Sequence, residues 1–332
     1  MGNSPLKTLV LRGGPDRERD VSLNSGGQVA QALRDAGHTV YERDITPDDL
    51  SALEDGKQLG AQVVFPVLHG PWGEGGPLQA LLEEAGFAYV GCQEAAARLC
   101  MDKWETKRAL QESHLATAEA ELLEKGDKRR LASPCVVKAL DEGSSYGLAI
   151  CHTDEAADEA VTRLFEAHDR LMVERFIAGK ELTVGVIEGL DRWDRRLARH
   201  DFQSTTEAGE TPVPPQLPTP TALPPIHIVP AVAFYDYDAK YTRDDTQYLF
   251  EIDLANACLE QAADTAKQAF EILGCRHLAR VDFIIDEQLN AHILEINTMP
   301  GFTSHSLVPK AAKQMGIAFP DLCDHLVRLA LR

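Results

Sequence analysis

A chain of 332 residues is long for one ordinary core and suggests two or three domains. Its 52 acidic and 33 basic residues leave a formal net charge of −19, which argues against nucleic acid or an anionic membrane surface as a partner. Seven scattered cysteines without CxxC spacing offer neither a zinc site nor a disulfide framework. With no apolar run of about 18 residues and no signal-peptide core, a reducing cytoplasm is the expected compartment.

The N-terminal part alternates strand and helix. "KTLVLRGG" (7–14) predicts a short apolar strand ending at a glycine pair, and "SLNSGGQVAQALRDAGH" (22–38) a helix closed by Gly37. "AQVVFPVLHG" (61–70) predicts a second buried strand, followed by the helix "PLQALLEEAG" (77–86). Such repetition implies a parallel sheet, with the loops "GGPDRERDVS" and "HGPWGEGG" on one ligand-facing edge. From about residue 101 the pattern changes. "DKWETKRALQES" predicts a helix carrying Lys103 and Lys107, and "SPCVVKAL" and "YGLAICHT" predict strands joined by the loop "DEGSS". "EAADEAVTRLFEAH" is amphipathic, and "LMVERF" and "KELTVGVIE" predict two more strands. Residues 211–225, "TPVPPQLPTPTALPP", are too proline-rich for a helix or central strand and predict an extended excursion.

The last section carries the densest chemistry. "ARVDFII" and "HILEIN", joined by "DEQLN", predict a hairpin. Alternation along its strands puts Arg280, Asp282, Glu295 and Asn297 on one face and Val281, Phe283, Leu294 and Ile296 on the other. Two carboxylates held together in apolar surroundings repel unless a cation lies between them. Hard oxygen donors without cysteine or histidine suit Mg2+, which commonly pairs such residues with phosphate oxygens.

Other segments admit two readings each. "VVKALDEGSSYGL" fits a phosphate-cradling loop with Lys138 as point charge, and equally an ordinary hairpin with a snorkelling lysine. Glu174 and Glu181 in "VERFIAGKE" fit acceptors for an adenine amino group and ribose hydroxyls, or solvated surface glutamates. Glu18 could bind a cationic amine or sit in a charged loop; His69 could face a ligand or simply pack on Trp72. "YDYDAKYT" (235–242) reads as a lid with a phosphate-reaching Lys240, or as an exposed aromatic loop.

Taken in order, these motifs resemble the D-alanine–D-alanine ligase family of ATP-grasp enzymes along nearly the whole chain, including "MDKWETK" and "LEINTMPGFTSHSLVPKAA". The resemblance implies a three-domain α/β fold: an N-terminal parallel α/β substrate domain (1–100), a central domain (101–188) and a C-terminal domain (189–332). The last two, both α+β, would clamp ATP. It also implies that Lys103, Lys138 and Lys240 hold phosphates, with Glu174, Ile177 and Glu181 at the nucleoside. Asp282, Glu295 and Asn297 would hold two Mg2+ ions, with Mn2+ as a substitute. Glu18 and His69 would bind the first D-alanine, and Ser306 and Leu307 the second one's carboxylate. Arg280 and the Gly301 N–H would stabilise the oxyanion, and Glu18, Ser144 and Tyr241 would latch the lid. A homodimer is the expected assembly.

The chain departs from the family pattern in four places. Ala139 follows the phosphate lysine where proline is usual, "GEGG" replaces "GEDG", "ERD" replaces "ERE", and residues 191–225 form a long proline-rich insertion before the lid. Alternatives from the sequence are a ligase for D-lactate or D-serine, another ATP-grasp paralogue, or a non-catalytic ATP-binding scaffold.

Overall fold

The computed structural model describes residues 4–140, 147–190, 218–229 and 246–332. Its N-terminal sheet contains β1 (Lys7–Gly13), β2 (Thr39–Ile45) and β3 (Val63–Pro66), all parallel, in the order β2-β1-β3. The sequence pattern missed β2. Its segment, TVYERDI, lies at the sheet edge with mostly half-buried residues, so it lacks the continuous apolar run of a central parallel strand. Helix α1 (Arg19–Asp35) crosses from β1 to β2, and α2 (Ser51–Leu59) from β2 to β3. After β3 come three short helices, α3 (Gly70–Gly73), α4 (Pro77–Glu84) and α5 (Glu94–Met101). The loops following β1 and β3 do meet at one edge: Trp72 N donates to Asp16 Oδ2 at 3.2 Å.

Helix α6 (Lys103–Glu112) opens with Asp102 as N-cap, its carboxylate accepting from Trp104 N at 2.9 Å and Glu105 N at 3.0 Å. A four-stranded antiparallel sheet follows. It is built from β4 (Ala120–Glu124), β5 (Cys135–Ala139), β6 (Leu148–Cys151) and β7 (Arg170–Arg175) in the order β4-β7-β5-β6. Helix α7 (Asp154–Leu164) packs on it, burying Ala157, Ala160 and Val161 in a core with Val137, Leu171 and Val173.

The next strand, β8 (Gly179–Glu188), was grouped by sequence with this central segment. Its partners lie later in the chain: it pairs with β12 (Leu278–Asp286) and β10 (Ile226–Val229), so the change of sheet falls at residues 176–178. With β11 (Gln247–Leu249) and β13 (Ala291–Asn297) the order is β11-β10-β8-β12-β13. The proline-rich stretch is not wholly an excursion. Pro220–Ala222 forms β9, paired antiparallel with the end of β8, and Leu223 is buried beside Gly185. Proline is tolerated there because it stands at the first position of a short strand.

Helices α8 (Asn256–Ile272), α9 (Leu307–Gln314) and α10 (Phe319–Leu329) complete the described chain. The stack Phe65–Phe302–Phe319, with centroids 5.7 and 5.6 Å apart, ties the parallel sheet to the C-terminal helices. No helix among the described residues is long and apolar enough to cross a membrane.

Candidate active site

The hairpin β12–β13 forms as predicted, with the four polar residues on one face, and its register sets Arg280 opposite Asn297 and Asp282 opposite Glu295. Immediately beyond this pair the register shifts, with Phe283 opposite Ile293, so that Leu294 is an extra residue in β13. Bulges of this kind end regular pairing and re-aim side chains beside active sites. Asp282 is buried and highly organised. Thr183 Oγ1 donates to its Oδ1 at 2.5 Å, Arg280 Nε and Nη2 donate to Oδ1 and Oδ2 at 2.9 and 2.7 Å, and Asn297 Nδ2 donates to Oδ2 at 3.1 Å. Thr183 occupies this place because β8 pairs Thr183 with Asp282.

Three acidic and amide side chains thus share one polar face with a guanidinium. Glu295 is about 31% exposed and stands 3.9 Å from Lys103 Nζ at the start of α6. The α6 end is fastened to the central sheet by Lys103 N donating to Leu140 O at 3.1 Å. The oxygen donor set of Asp282, Glu295 and Asn297 fits a hard divalent cation such as Mg2+.

Behind Lys103, the central sheet holds Lys138 on β5 and Glu174 on β7. Glu174 is ion-paired with Lys138 and, at 3.2 Å, with Lys107 of α6. Burial alone would raise its pKa, but Lys138 and Lys107 outweigh burial and hold the carboxyl below its ordinary value. Beyond its ion pair with Lys107, the buried Glu174 Oε2 has no hydrogen bond among the described residues, leaving acceptor capacity that fits a ligand amino group. Ile177, in the connection between β7 and β8, lines a cavity of about 410 Å3 with Thr117, Glu119, Arg175 and His292. Glu181 lies on β8 opposite Ile284.

A second group of residues singled out in the sequence lies where the N-terminal loops meet the chain after β13. Glu18, at the N-cap of α1, and His69 are both buried. His69 Nδ1 lies 3.1 Å from Met299 O, which requires the proton on Nδ1. Its Nε2 is buried without a partner among the described residues. Burial lowers the His69 pKa, against the charge of Glu18, so the ring is neutral and Nε2 is an acceptor.

The same loop supplies Glu74, which sequence reasoning did not single out. Its Oε1 accepts from Gly70 N at 3.0 Å, its Oε2 from Met299 N at 3.3 Å, and its backbone oxygen from Thr298 Oγ1 at 3.3 Å. Burial, reinforced by Glu18, pushes the Glu74 carboxyl up to about 8. The neighbouring "GEGG" departure has a steric reason: a Cβ on Gly75 would sit 2.4 Å from Pro71 O. Residues 69–74 therefore grip Met299, two positions before Gly301. Gly301 in turn lies beside Ser306, whose Oγ accepts from Thr303 N at 3.0 Å at the N-terminus of α9. Leu307 is the first residue of that helix, where backbone N–H groups favour an anion. Ser144, Lys240 and Tyr241 lie outside the described residues.

A parallel α/β unit joined to two antiparallel sheets, with Lys138 on one sheet and an Asp–Glu–Asn face on the other, defines the ATP-grasp class of fold. Comparison with known proteins narrows the class. Residues 103–202 and 217–328 match the family description "D-ala D-ala ligase C-terminus", and residues 47–92 match "D-ala D-ala ligase N-terminus". The chain is 40% identical over 322 residues to D-alanine–D-alanine ligase B of Chromobacterium violaceum, covering 96% of this chain and 95% of that one. It is 35% identical over 332 residues to the D-alanine–D-alanine ligase of Haemophilus ducreyi, covering 98% of each. The crystal structure of the Bacillus anthracis D-alanine–D-alanine ligase complexed with ATP shares the fold, with a TM-score of 0.77, 24% identity and 98% of each chain covered. The chain belongs to the D-alanine–D-alanine ligase family.

Proposed function

We propose that this protein joins two D-alanines into D-alanyl-D-alanine at the expense of ATP, supplying a peptidoglycan precursor in the cytoplasm. The observation that carries this reading is the single polar face on which Arg280, Asp282, Glu295 and Asn297 converge with Lys103, within electrostatic reach of the buried His69 and Glu18. ATP lies between the two antiparallel sheets, with Lys103, Lys138 and Lys240 at its phosphates and Glu174, Ile177 and Glu181 at its nucleoside. Asp282, Glu295 and Asn297 would hold Mg2+, as two ions replaceable by Mn2+, which when bound neutralises phosphate charge.

Glu18 binds the ammonium group of the first D-alanine, and the Nε2 lone pair of His69 adds an acceptor. The first D-alanine's carboxylate oxygen attacks the γ-phosphorus, ADP leaves, and an acyl phosphate forms. The second D-alanine, its carboxylate held by Ser306 and the N-terminus of α9, loses its ammonium proton and attacks the acyl carbon. Arg280 and the Gly301 N–H stabilise the developing oxyanion, and collapse expels phosphate. Residues 1–100 act as the substrate domain, Glu18, Ser144 and Tyr241 latch the lid over the acyl phosphate, and the working form is a homodimer.

The test is product analysis with ATP and Mg2+ and a panel of acceptors: D-alanine, D-serine, D-lactate and L-alanine. D-alanyl-D-alanine should dominate at neutral pH. A preference for D-lactate or D-serine would replace the acceptor assignment, and ADP release indifferent to D-alanine would defeat the reading.

A further inference from the structure

Helix α6 presents two lysines one turn apart on one face, and only the first is needed to explain the contact with Glu295. The second, Lys107, is turned inward. Its side chain is 4% exposed, its Nζ donates to Ala118 O at 3.0 Å, and it stands 3.2 Å from Glu174 Oε2. The other oxygen of Glu174 is ion-paired with Lys138. Two ammonium groups therefore share one carboxylate in a buried place, and the cluster carries one net positive charge. A Lys138–Glu174 pair would be neutral by itself, so Lys107 adds a desolvated charge that the fold alone does not require. Burial lowers the Lys107 pKa, and Glu174 works against it.

The surplus has a use if Lys138 has to change partner. We propose that Lys107 is a positioning residue for the nucleotide: it keeps Glu174 paired when Lys138 turns to the phosphates, so that Lys138 leaves no buried carboxylate alone. This rests on reading Lys138 as a phosphate ligand. Without nucleotide, Lys138 and Lys107 share Glu174. With nucleotide, Lys107 retains Glu174, and the positive charge of Lys138 meets phosphate oxygens. Lys107 touches no substrate in this scheme and acts only through Glu174 and Lys138. Its bond to Ala118 O also fixes it from the chain entering β4, so it has little freedom to follow Lys138.

The scheme makes affinity depend on the cluster's charge. In Lys107→Met the cluster becomes neutral, and Lys138 is confined to Glu174. In Lys107→Met/Glu174→Gln the net charge of +1 is restored, and Gln keeps a carbonyl oxygen for a ligand amino group. Binding of ADP and of AMP is measured by titration calorimetry on the full chain, with far-ultraviolet circular dichroism as a check on folding. Lys107→Met should weaken ADP by tenfold or more and AMP by less than threefold, because the loss acts through the β-phosphate. The double variant should bind ADP at least threefold more tightly than Lys107→Met, any loss from Glu174 falling equally on ADP and AMP, and Lys107→Arg should match the parent. A merely structural lysine predicts the reverse for the double variant, with damage at least as large as in the single one. Parental ADP affinity in Lys107→Met, or a double variant weaker than the single, overturns the proposal. Should Lys107→Met not fold, the double variant, whose one charge in the cluster is the Lys138 ammonium, decides alone: an ADP affinity that falls tenfold or more beyond any fall in AMP affinity refutes the scheme. Lys138→Met separates the premise. If it binds ADP as the parent does, the phosphate role of Lys138 fails before that of Lys107 is reached.

Discussion

Replacing Glu74 by glutamine tests whether the loop that grips Met299 carries a proton at working pH. The carboxyl is moved from its ordinary value of 4.5 to about 8, first by burial and then by the nearby charge of Glu18, against the two backbone N–H groups that favour its ionised form. In the window between those values the folded protein keeps a proton that the unfolded chain has released. Stability from this group is therefore full below about pH 4.5 and is lost as pH rises towards 8. The slope is about 1.4 kcal/mol per pH unit, on the order of 5 kcal/mol across the window. Glutamine has no proton to release, so its stability lacks this slope. Its amide nitrogen also faces one of the two backbone donors, which adds a pH-independent cost of about 1–3 kcal/mol. Urea denaturation of parent and variant from pH 5 to 7.5, taken as a difference, cancels the titration of groups common to both. The parent's advantage should shrink steadily with rising pH and reverse between about pH 5 and 7. A difference that stays constant would mean that Glu74 is ionised throughout, and the account of this buried carboxyl would be wrong.

Glu295→Gln should fold like the parent and lose nearly all turnover, because it removes charge where phosphate charge has to be neutralised; near-normal steady-state activity at low Mg2+ would contradict the metal assignment. Leu223→Ala deletes a fully buried side chain that packs beside Gly185, next to strand β9, and should cost about 2–5 kcal/mol by denaturant unfolding. A cost below about 0.5 kcal/mol would return this end of the proline-rich stretch to the status of a solvated excursion.

The β12–β13 hairpin was legible because its information is local: alternation alone assigns Arg280, Asp282, Glu295 and Asn297 to one face, where Asp282 pairs with Glu295. The bulge at Leu294 was not, since nothing in "HILEIN" marks a change of register. Strand β2 escaped because an edge strand rich in charge resembles a loop, and β9 because its prolines argue against pairing in the centre of a sheet but not at an edge. Glu74 and Lys107 were visible only as two more charged residues. Their meaning arises from contacts distant in sequence, Glu74 with Met299 across 225 positions and Lys107 with Glu174 on another element. The lysines and acids proposed for the site stand out in sequence because their motifs occur in order, whereas the partner that immobilises each of them depends on tertiary packing.

The central claim is that the first D-alanine is activated as an acyl phosphate on this polar face. The direct measurement uses D-alanine labelled with 18O in its carboxylate, unlabelled ATP and Mg2+, with mass analysis of the phosphate released per dipeptide formed. The account predicts one 18O atom in each phosphate, because the carboxylate oxygen that attacks phosphorus leaves with it. Unlabelled phosphate accompanying dipeptide formation would contradict it.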